Sequence, residues 1–321
     1  MDLVHNLSDR LLFAVPKKGR LNEACLNLLS GSDIQFHRHS RLDIALVKNL
    51  PIALVFLPAA DIPTFVGEGR VDLGITGRDQ VAEHYDRRDR TNDHPPRQRF
   101  AADGVPIEEG VEEVMDLGFG RCNLQVQVPE KGDVTTAAQL VGRDVVTSYT
   151  NLTEEYFRKL EGAGPQDRLR TRIKFVGGSV EAACALGVAD AVVDLVESGE
   201  TMRAAGLKAI DTVLESTAVL IRSKRPSNPA LVDLITSRIR GVITAQRYVL
   251  CTYNILRSKL DQAVRITPGK RAPTVTSLEE ESWVAINVMV ERSQMAITMD
   301  RIMEIGGTDI LITKIENSRA T

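Results

Sequence analysis

Apolar residues in this chain come in short blocks, most of them too brief for a helix, separated by turns rich in glycine, charge or hydroxyl groups. The first block, Leu11, Leu12, Phe13, Ala14 and Val15, predicts a buried strand over 11–15, which runs into the basic turn Pro16-Lys17-Lys18-Gly19-Arg20. Over 21–29 the spacing changes, and Leu21, Ala24, Cys25, Leu28 and Leu29 recur at helical intervals. A strand follows over 52–57, a helix over 60–67, a strand over 71–75 and a turn at Thr76-Gly77-Arg78-Asp79. This alternation predicts a mostly parallel sheet covered by helices.

Residues 84–98 break the rhythm. They are dense in Arg and Asp and nearly free of aliphatic side chains, which predicts an exposed loop. A second α/β unit begins near Phe119, with strands over 123–128, 144–148 and 173–176. Its helices are expected over 136–140, over 151–161 with Asn151 or Thr153 as cap, and over 180–186 with Ser179 as cap. A strand over 218–222 is expected to return to the first unit. Residues 1–119 with 206–226 then make one lobe and 120–205 the other, with a cleft between them.

After Ser227-Asn228-Pro229 the pattern changes again. One long amphipathic helix is predicted over 230–246, with Leu231, Leu234, Ile235, Ile239, Val242 and Ile243 on its apolar side. Strand 248–253, helix 258–264, strands 273–277 and 283–290, helix 294–305 and strand 309–315 complete the chain. The order β-α-β-β-α-β is that of a split βαβ, ferredoxin-like domain over 227–321. Gly306-Gly307 reads as the C-terminus of a helix.

Composition narrows the function classes. The 321 residues are 43% hydrophobic and 26% charged, as in a soluble globular protein. A net charge of −3 offers no nucleic-acid surface. Cys25, Cys122, Cys184 and Cys251 are scattered without metal-ligand spacing, which points to reduced thiols and a cytoplasmic protein. No apolar run approaches the roughly 20 residues of a membrane span, and no apolar leader opens the chain.

The segment 189–201 carries the strongest chemistry. Val192, Val193, Leu195 and Val196 predict a strand that holds Asp190 and Asp194 and ends at Glu197-Ser198-Gly199-Glu200-Thr201. A strand that breaks at such a turn and re-enters a helix presents several N–H groups at a positive helix end, a cradle for phosphate. The flanking carboxylates suit a Mg²⁺–polyphosphate or a ribose diol. A plain strand–helix junction with Ser198 or Thr201 as N-cap fits these residues equally well.

Taken together, the motifs resemble those of the ATP phosphoribosyltransferases in their long, allosteric, fungal-like form. The resemblance is carried by Pro16 to Leu21, Val71-Asp-Leu-Gly-Ile-Thr-Gly77, Gly118-Phe-Gly-Arg-Cys-Asn-Leu-Gln125, Val146-Thr-Ser-Tyr149, Gly178-Ser-Val-Glu181 and 189–201. In the C-terminal part it is carried by Ile266-Thr-Pro-Gly269, Pro273-Thr274 and Trp283-Val-Ala-Ile286. It implies an α/β fold of two periplasmic-binding-protein-like lobes plus a C-terminal ferredoxin-like, ACT-like βαββαβ domain. It also implies an enzyme of histidine biosynthesis that joins N1 of ATP to C1 of phosphoribosyl pyrophosphate (PRPP). Mg²⁺ is its cofactor, carried by the substrates rather than by a protein site, and histidine is its inhibitor.

The resemblance further assigns roles. Glu197, Ser198, Gly199, Glu200 and Thr201 hold the 5′-phosphate. Asp194 or Asp190 attends the ribose; standing roughly 13 Å apart on one strand face, they cannot serve one atom, and Asp194 is nearer the turn. Lys18 and Arg20 meet the pyrophosphate or the ATP phosphates. Asp72 and Thr76 are expected at the C-terminal end of a strand, where open α/β sheets bind ligands. Ser148 and Tyr149 line the ATP pocket, and Glu181 contacts adenine or orders the loop. Asn254, Arg271 and Thr274 match the histidine pocket, and the assembly implied is a homo-oligomer, active as a dimer and closed as a hexamer. A ligand-binding protein of two lobes without catalysis, or a silent subunit, is the competing reading.

Overall fold

The computed structural model of the chain describes residue 7 and residues 9–38, 42–90 and 110–319. These form two compact units, one from the residues up to 26 with 36–232, the other from 27–35 with 233–321.

The larger unit holds two sheets. In the first, β1 (Leu11–Pro16) runs parallel to β3 (Ile52–Leu57) along its whole length and to β4 (Leu73–Gly77) on its other side. β2 (Ile44–Leu46) closes one edge; β11 (Ala218–Ser223) and β5 (Val111–Asp116) extend the other, antiparallel. Phe13, Ala14 and Val15 are wholly buried, as a continuous apolar block requires in a strand covered on both faces. Helix α1 (Asn22–Gly31) follows the basic turn, and α2 (Ile62–Gly67) lies tightly on β4. A side chain at Gly74 would stand 2.6 Å from Ile62 Cγ2, so glycine is what admits the helix.

The second sheet has the order β10-β6-β9-β7-β8. Its strands are β6 (Cys122–Pro129), β7 (Asp144–Thr147), β8 (Arg172–Phe175), β9 (Ala191–Val196) and β10 (Leu207–Ser216). Leu124, Val126, Val145 and Val193 bury one face against Phe157 of α4 (Thr150–Glu161). Short helices α5 (Ala182–Ala185) and α6 (Glu200–Ala204) flank β9 in sequence. The chain crosses between the sheets twice, once from β5 to β6 and once from β10 to β11 through Thr217.

The smaller unit includes most of α7 (Pro229–Arg247) and a four-stranded antiparallel sheet ordered β13-β14-β12-β15. β12 (Tyr248–Leu256), α8 (Leu260–Ile266), β13 (Thr274–Ser277), β14 (Trp283–Glu291), α9 (Met295–Glu304) and β15 (Thr308–Lys314) give the expected ferredoxin-like order. Val249, Cys251, Tyr253 and Ile255 alternate inward with period two and meet Val284, Ile286 and Ile302. The Tyr253 hydroxyl meets Thr267 Oγ1 at 2.6 Å, which satisfies its buried polar end. Gly306, at a φ of 90°, ends α9 as expected. Segment 27–35 joins this unit through Arg238, which donates to the Asp33 carbonyl at 3.1 Å.

Several expectations are corrected. Strand β4 extends to Gly77, and α3 (Arg78–Arg90) starts at once, so neither the turn at 76–79 nor the loop from 84 is present. Charged residues are adequate helix formers, and Asp79 suits the positive first turn. Residues 91–109, the rest of that expected loop and of the stretch after it, lie outside the described residues. Strand β10 went unforeseen because two register shifts, at Ala209/Asp211 and Thr212/Leu214, break its alternation. It pairs with β6, so 207–216 belong to the second sheet rather than to the first lobe. Edge strands β2 and β5 are short or carboxylate-rich and also escaped the pattern. The expected caps at Ser179, Asn151 and Thr153 are absent: Ser179 adopts a left-handed φ of 50°, and α4 starts at Thr150 without a side-chain cap of its own.

Phe157 has no solvent exposure at the centre of the second sheet's core. Phe157→Ala is expected to cost about 3–5 kcal/mol, read as a lowered urea midpoint for the larger unit.

Candidate active site

Strand β9 ends at Val196, and the chain turns through Glu197 and Ser198 to Gly199, whose φ of 75° precedes α6. A side chain on Gly199 would meet Arg203 Nη1 at 2.7 Å. Arg203 instead folds over the turn and donates to the Ser198 carbonyl at 3.0 Å. Gly199, at the N-cap, has no side chain to cap α6, and Ser198 Oγ accepts from the Glu200 N–H at 3.4 Å. First-turn N–H groups of a helix have no partner within it, and they carry partial positive charge. Residues Glu197 to Met202 line a cavity of about 230 Å³ together with Cys122 and, from the first lobe, Arg20. Burial pushes the Cys122 thiol up to about 11, so it faces this cavity neutral.

Arg20 donates to the Gly120 carbonyl on the first crossing and stands 3.4 Å from Asp79 Oδ1. Asp79, in the first turn of α3, is completely buried. Its Oδ2 accepts from the Tyr149 hydroxyl at 2.8 Å and from Gln80 Nε2 at 3.0 Å. Its Oδ1 accepts from Ser216 Oγ at 2.5 Å, and its own N–H donates to that hydroxyl at 2.9 Å. Burial and the Asp79 carboxylate hold the Tyr149 phenol firmly neutral. Tyr149 follows β7 and Ser216 ends β10, so a carboxylate of the first lobe takes two of its four side-chain partners from the second.

Lys18 is exposed and shares a second cavity, of about 160 Å³, with Arg20, Gly77, Asp79, Gln80 and Leu195. Arg20 therefore borders both cavities. Ser148 is half-buried between β7 and α4. Asp194 is half-buried near the end of β9, where its Oδ1 accepts from Leu195 N–H at 2.8 Å. Burial first, and the charge of Glu181 second, raise its carboxyl above the usual range. Glu181, half-buried, precedes α5.

Two of the expected residues, Asp190 and Asp72, are placed elsewhere. Asp190 is exposed at the far end of β9, where Oδ2 accepts from Asp144 N–H at 3.0 Å. Asp72 lies before β4 rather than at its C-terminal end; its carboxylate accepts from Leu12 N–H at 2.9 Å and Ser227 N–H at 2.5 Å. Thr76 does stand near the C-terminal end of β4, where its buried hydroxyl donates to the Ala59 carbonyl at 2.7 Å. Both Asp72 and Thr76 are committed to holding strands in place.

A second carboxylate joins the lobes. Glu83, on α3, accepts from the N–H groups of Asn151 and Leu152, each at 3.0 Å, at the start of α4. It supplies from outside the cap that α4 lacks. Asp79, Gln80, Glu83 and Ser216 were all missed as site residues. The available signal was Gly77 followed by an acidic residue two positions later, at a strand-to-helix junction.

In the smaller unit, Arg271 and Thr274 border one cavity of about 810 Å³, with Lys270, Asn287, Met289 and Arg319. Asn254 is apart from it, and its side-chain amide donates to Asp309 Oδ2 at 3.0 Å. No helix among the described residues is long and apolar enough to cross a membrane.

Comparison with known proteins gives a consistent result. Residues 58–241 match the family profile described as ATP phosphoribosyltransferase, and residues 245–317 match the HisG C-terminal domain. The ATP phosphoribosyltransferase of Yarrowia lipolytica is 60% identical over 99% of this chain and its own full length. That of Schizosaccharomyces pombe is 57% identical and that of Saccharomyces cerevisiae 52%, each with the same coverage. Among solved structures, the ATP phosphoribosyl transferase (HisG:HisZ) complex from Thermotoga maritima shares the fold at a TM-score of 0.55 and 21% identity. It covers 73% of this chain and 97% of that one.

The cap across the lobes is measurable apart from any activity. Glu83→Gln keeps the shape of the side chain but removes its charge from two N–H donors. It is expected to lower stability by about 1–2 kcal/mol in urea unfolding, with little loss in a Glu83→Asp control only if the shorter side chain still reaches α4.

Proposed function

The chain belongs to the ATP phosphoribosyltransferase family, the enzymes of the first step of histidine biosynthesis, and on that footing we propose how it carries out the reaction. The phosphoribosyl group passes from PRPP to N1 of the adenine of ATP. The N1 lone pair forms the new bond to C1 as the C1–oxygen bond breaks, and its electrons leave with pyrophosphate. The observation that carries this reading is the meeting of Arg20 with the 197–201 turn in one cavity.

Sugar C1 becomes cationic and pyrophosphate gains charge as the bond breaks, so catalysis is chiefly positioning and charge management. Glu197, Ser198, Gly199, Glu200 and Thr201 hold the 5′-phosphate through N–H and hydroxyl groups. Arg20 and Lys18, bordering the adjoining cavity, take the polyphosphate oxygens. Asp194 stabilises the developing positive charge at the ribose and has to be ionised to do so. Mg²⁺, when bound, neutralises phosphate oxygens. Among the described residues no three His, Cys, Asp or Glu gather to hold a metal ion, so the ion would be carried by the substrates' own phosphates. Tyr149, fixed by Asp79, shapes the wall for ATP together with Ser148. Asp190, Asp72 and Thr76 take no part.

In the smaller unit we assign histidine feedback to the cavity bordered by Arg271 and Thr274, with Asn254 committed to Asp309. Inhibition would proceed by a shift of population between dimeric and hexameric assemblies of this cytoplasmic enzyme.

Purified protein supplied with ATP, PRPP and Mg²⁺ is expected to form the adduct, followed by its absorbance, and histidine is expected to suppress it. No adduct from folded protein would sink the catalytic reading; turnover indifferent to histidine would sink the regulatory one alone. Asp194→Ala is expected to cut kcat at least about a hundredfold, whereas Asp190→Asn changes it less than about threefold.

The acid limb of kcat/KM is expected above the usual carboxylate range, because burial and Glu181 both raise Asp194. Activity requires the ionised form and falls as pH drops through that value. Glu181→Gln removes one negative neighbour and is expected to move the limb to lower pH. A limb that stays in place would dissociate it from Asp194.

A further inference from the structure

Two glycines on either side of the Arg20–Asp79 ion pair have a common steric role. A Cβ on Gly77 would fall 2.2 Å from Asp79 Oδ1. A Cβ on Gly120 would fall 3.1 Å from Arg20 Nη1 and 2.3 Å from Leu21 Cδ2. Each glycine clears the space that one partner of the Arg20–Asp79 pair occupies. Neither residue of the pair was expected to meet the other from the spacing of the chain.

Every proton in the cluster has a definite place. Asp79 N–H donates to Ser216 Oγ, so the Ser216 hydroxyl proton goes to Oδ1. Gln80 Nε2 donates to the Tyr149 oxygen, so the Tyr149 proton goes to Oδ2. The carboxylate oxygens are thus acceptors throughout. Arg20 uses one Nη on the Gly120 carbonyl and the other on this carboxylate. A guanidinium has five N–H groups, so others are left for a ligand. Arg20 is the cation that borders both cavities. Its two anchors lie on, or are bonded from, the two crossings between the lobes: Gly120 on one, and Asp79 through Ser216 at the start of the other.

We propose that Asp79 is a positioning residue for Arg20: its carboxylate, held from the second lobe, orients the guanidinium toward the polyphosphate and ties anion binding to the spacing of the lobes. The inference rests on the reading of Arg20 as an anion contact and adds the residue through which that contact is set. Without the carboxylate, Arg20 is a long side chain on a turn, and ordering it would draw on the binding energy itself.

The test is a binding cycle with the full chain and inorganic pyrophosphate as probe, read by calorimetry on proteins whose unfolding transition is intact. Arg20→Ala and Asp79→Asn are each expected to weaken pyrophosphate binding roughly tenfold or more, and the double variant is expected to bind no worse than Arg20→Ala. Wild-type affinity in Asp79→Asn overturns the proposal. So does a further loss in the double variant, because Asp79 would then act by another route. Wild-type affinity in Arg20→Ala overturns the reading of Arg20 itself, and the proposal with it. If Asp79→Asn does not fold, Gly77→Ala displaces the same carboxylate without removing its charge, and the same cycle with Arg20→Ala decides. A spectroscopic check accompanies either variant: the Arg20 side-chain N–H resonance is expected to stand apart in the wild type and to merge with those of mobile arginines in the variant.

Discussion

A carboxylate with no access to water, placed where two sheets are joined by only two short crossings, is the constraint around which the larger unit is arranged. Burying the charge of Asp79 is costly unless donors replace the lost hydration. Two of those donors, Tyr149 and Ser216, come from the second lobe, and the counter-charge comes from Arg20 in the first. The lobes are thus held by polar bonds rather than by apolar area at this point, and such bonds specify direction as well as distance. Glu83 repeats the device one turn further along α3, with a helix N-terminus in place of an arginine.

Much of the architecture was legible in the sequence, and its limits were physical. Strands buried on both faces, such as β1 and β3, announce themselves as continuous apolar blocks. The alternation of β12 and β14 and the order of elements after residue 247 identified the ferredoxin-like unit. Strand β10 was hidden because its bulges shift the period midway, and α3 because charge density was taken to mean a loop when it also suits a solvated helix. The 197–201 turn could be read as a phosphate cradle from its residues, and the resemblance put Arg20 at the same substrate, but neither pointed to the contact of Arg20 with Asp79. That contact spans far more chain than any periodicity registers.

Asp190 and Asp194 show what residue type alone leaves undetermined. Four positions apart on one strand, both were candidates for the ribose, and only nearness to the turn favoured Asp194. The fold places Asp190 in solvent, bonded to the first residue of a neighbouring strand, and sinks Asp194 beside Glu181, where ionisation is harder. Asp72 and Asp79 make the same point in reverse. The first belonged to a motif and holds strands together; the second was passed over as part of a turn and anchors the site. Burial and donor count, which only the folded chain reveals, separate the four.

The second sheet is built wholly from residues between β5 and β11 of the first, and this has a consequence for the order of assembly. As the chain leaves the ribosome, β4 emerges with β1 available on one side, while its other neighbour, β11, waits until the entire second sheet has been made. The nascent first lobe therefore carries an apolar strand with an open edge, a state prone to mispairing. Completion of β10 ends that interval, because its last residue delivers β11 directly to the vacant position. Vectorial synthesis thus makes the inserted lobe a timer for the host lobe. The step that closes the vulnerable edge also brings Ser216 to Asp79, so protection of the nascent chain and assembly of the site are completed together.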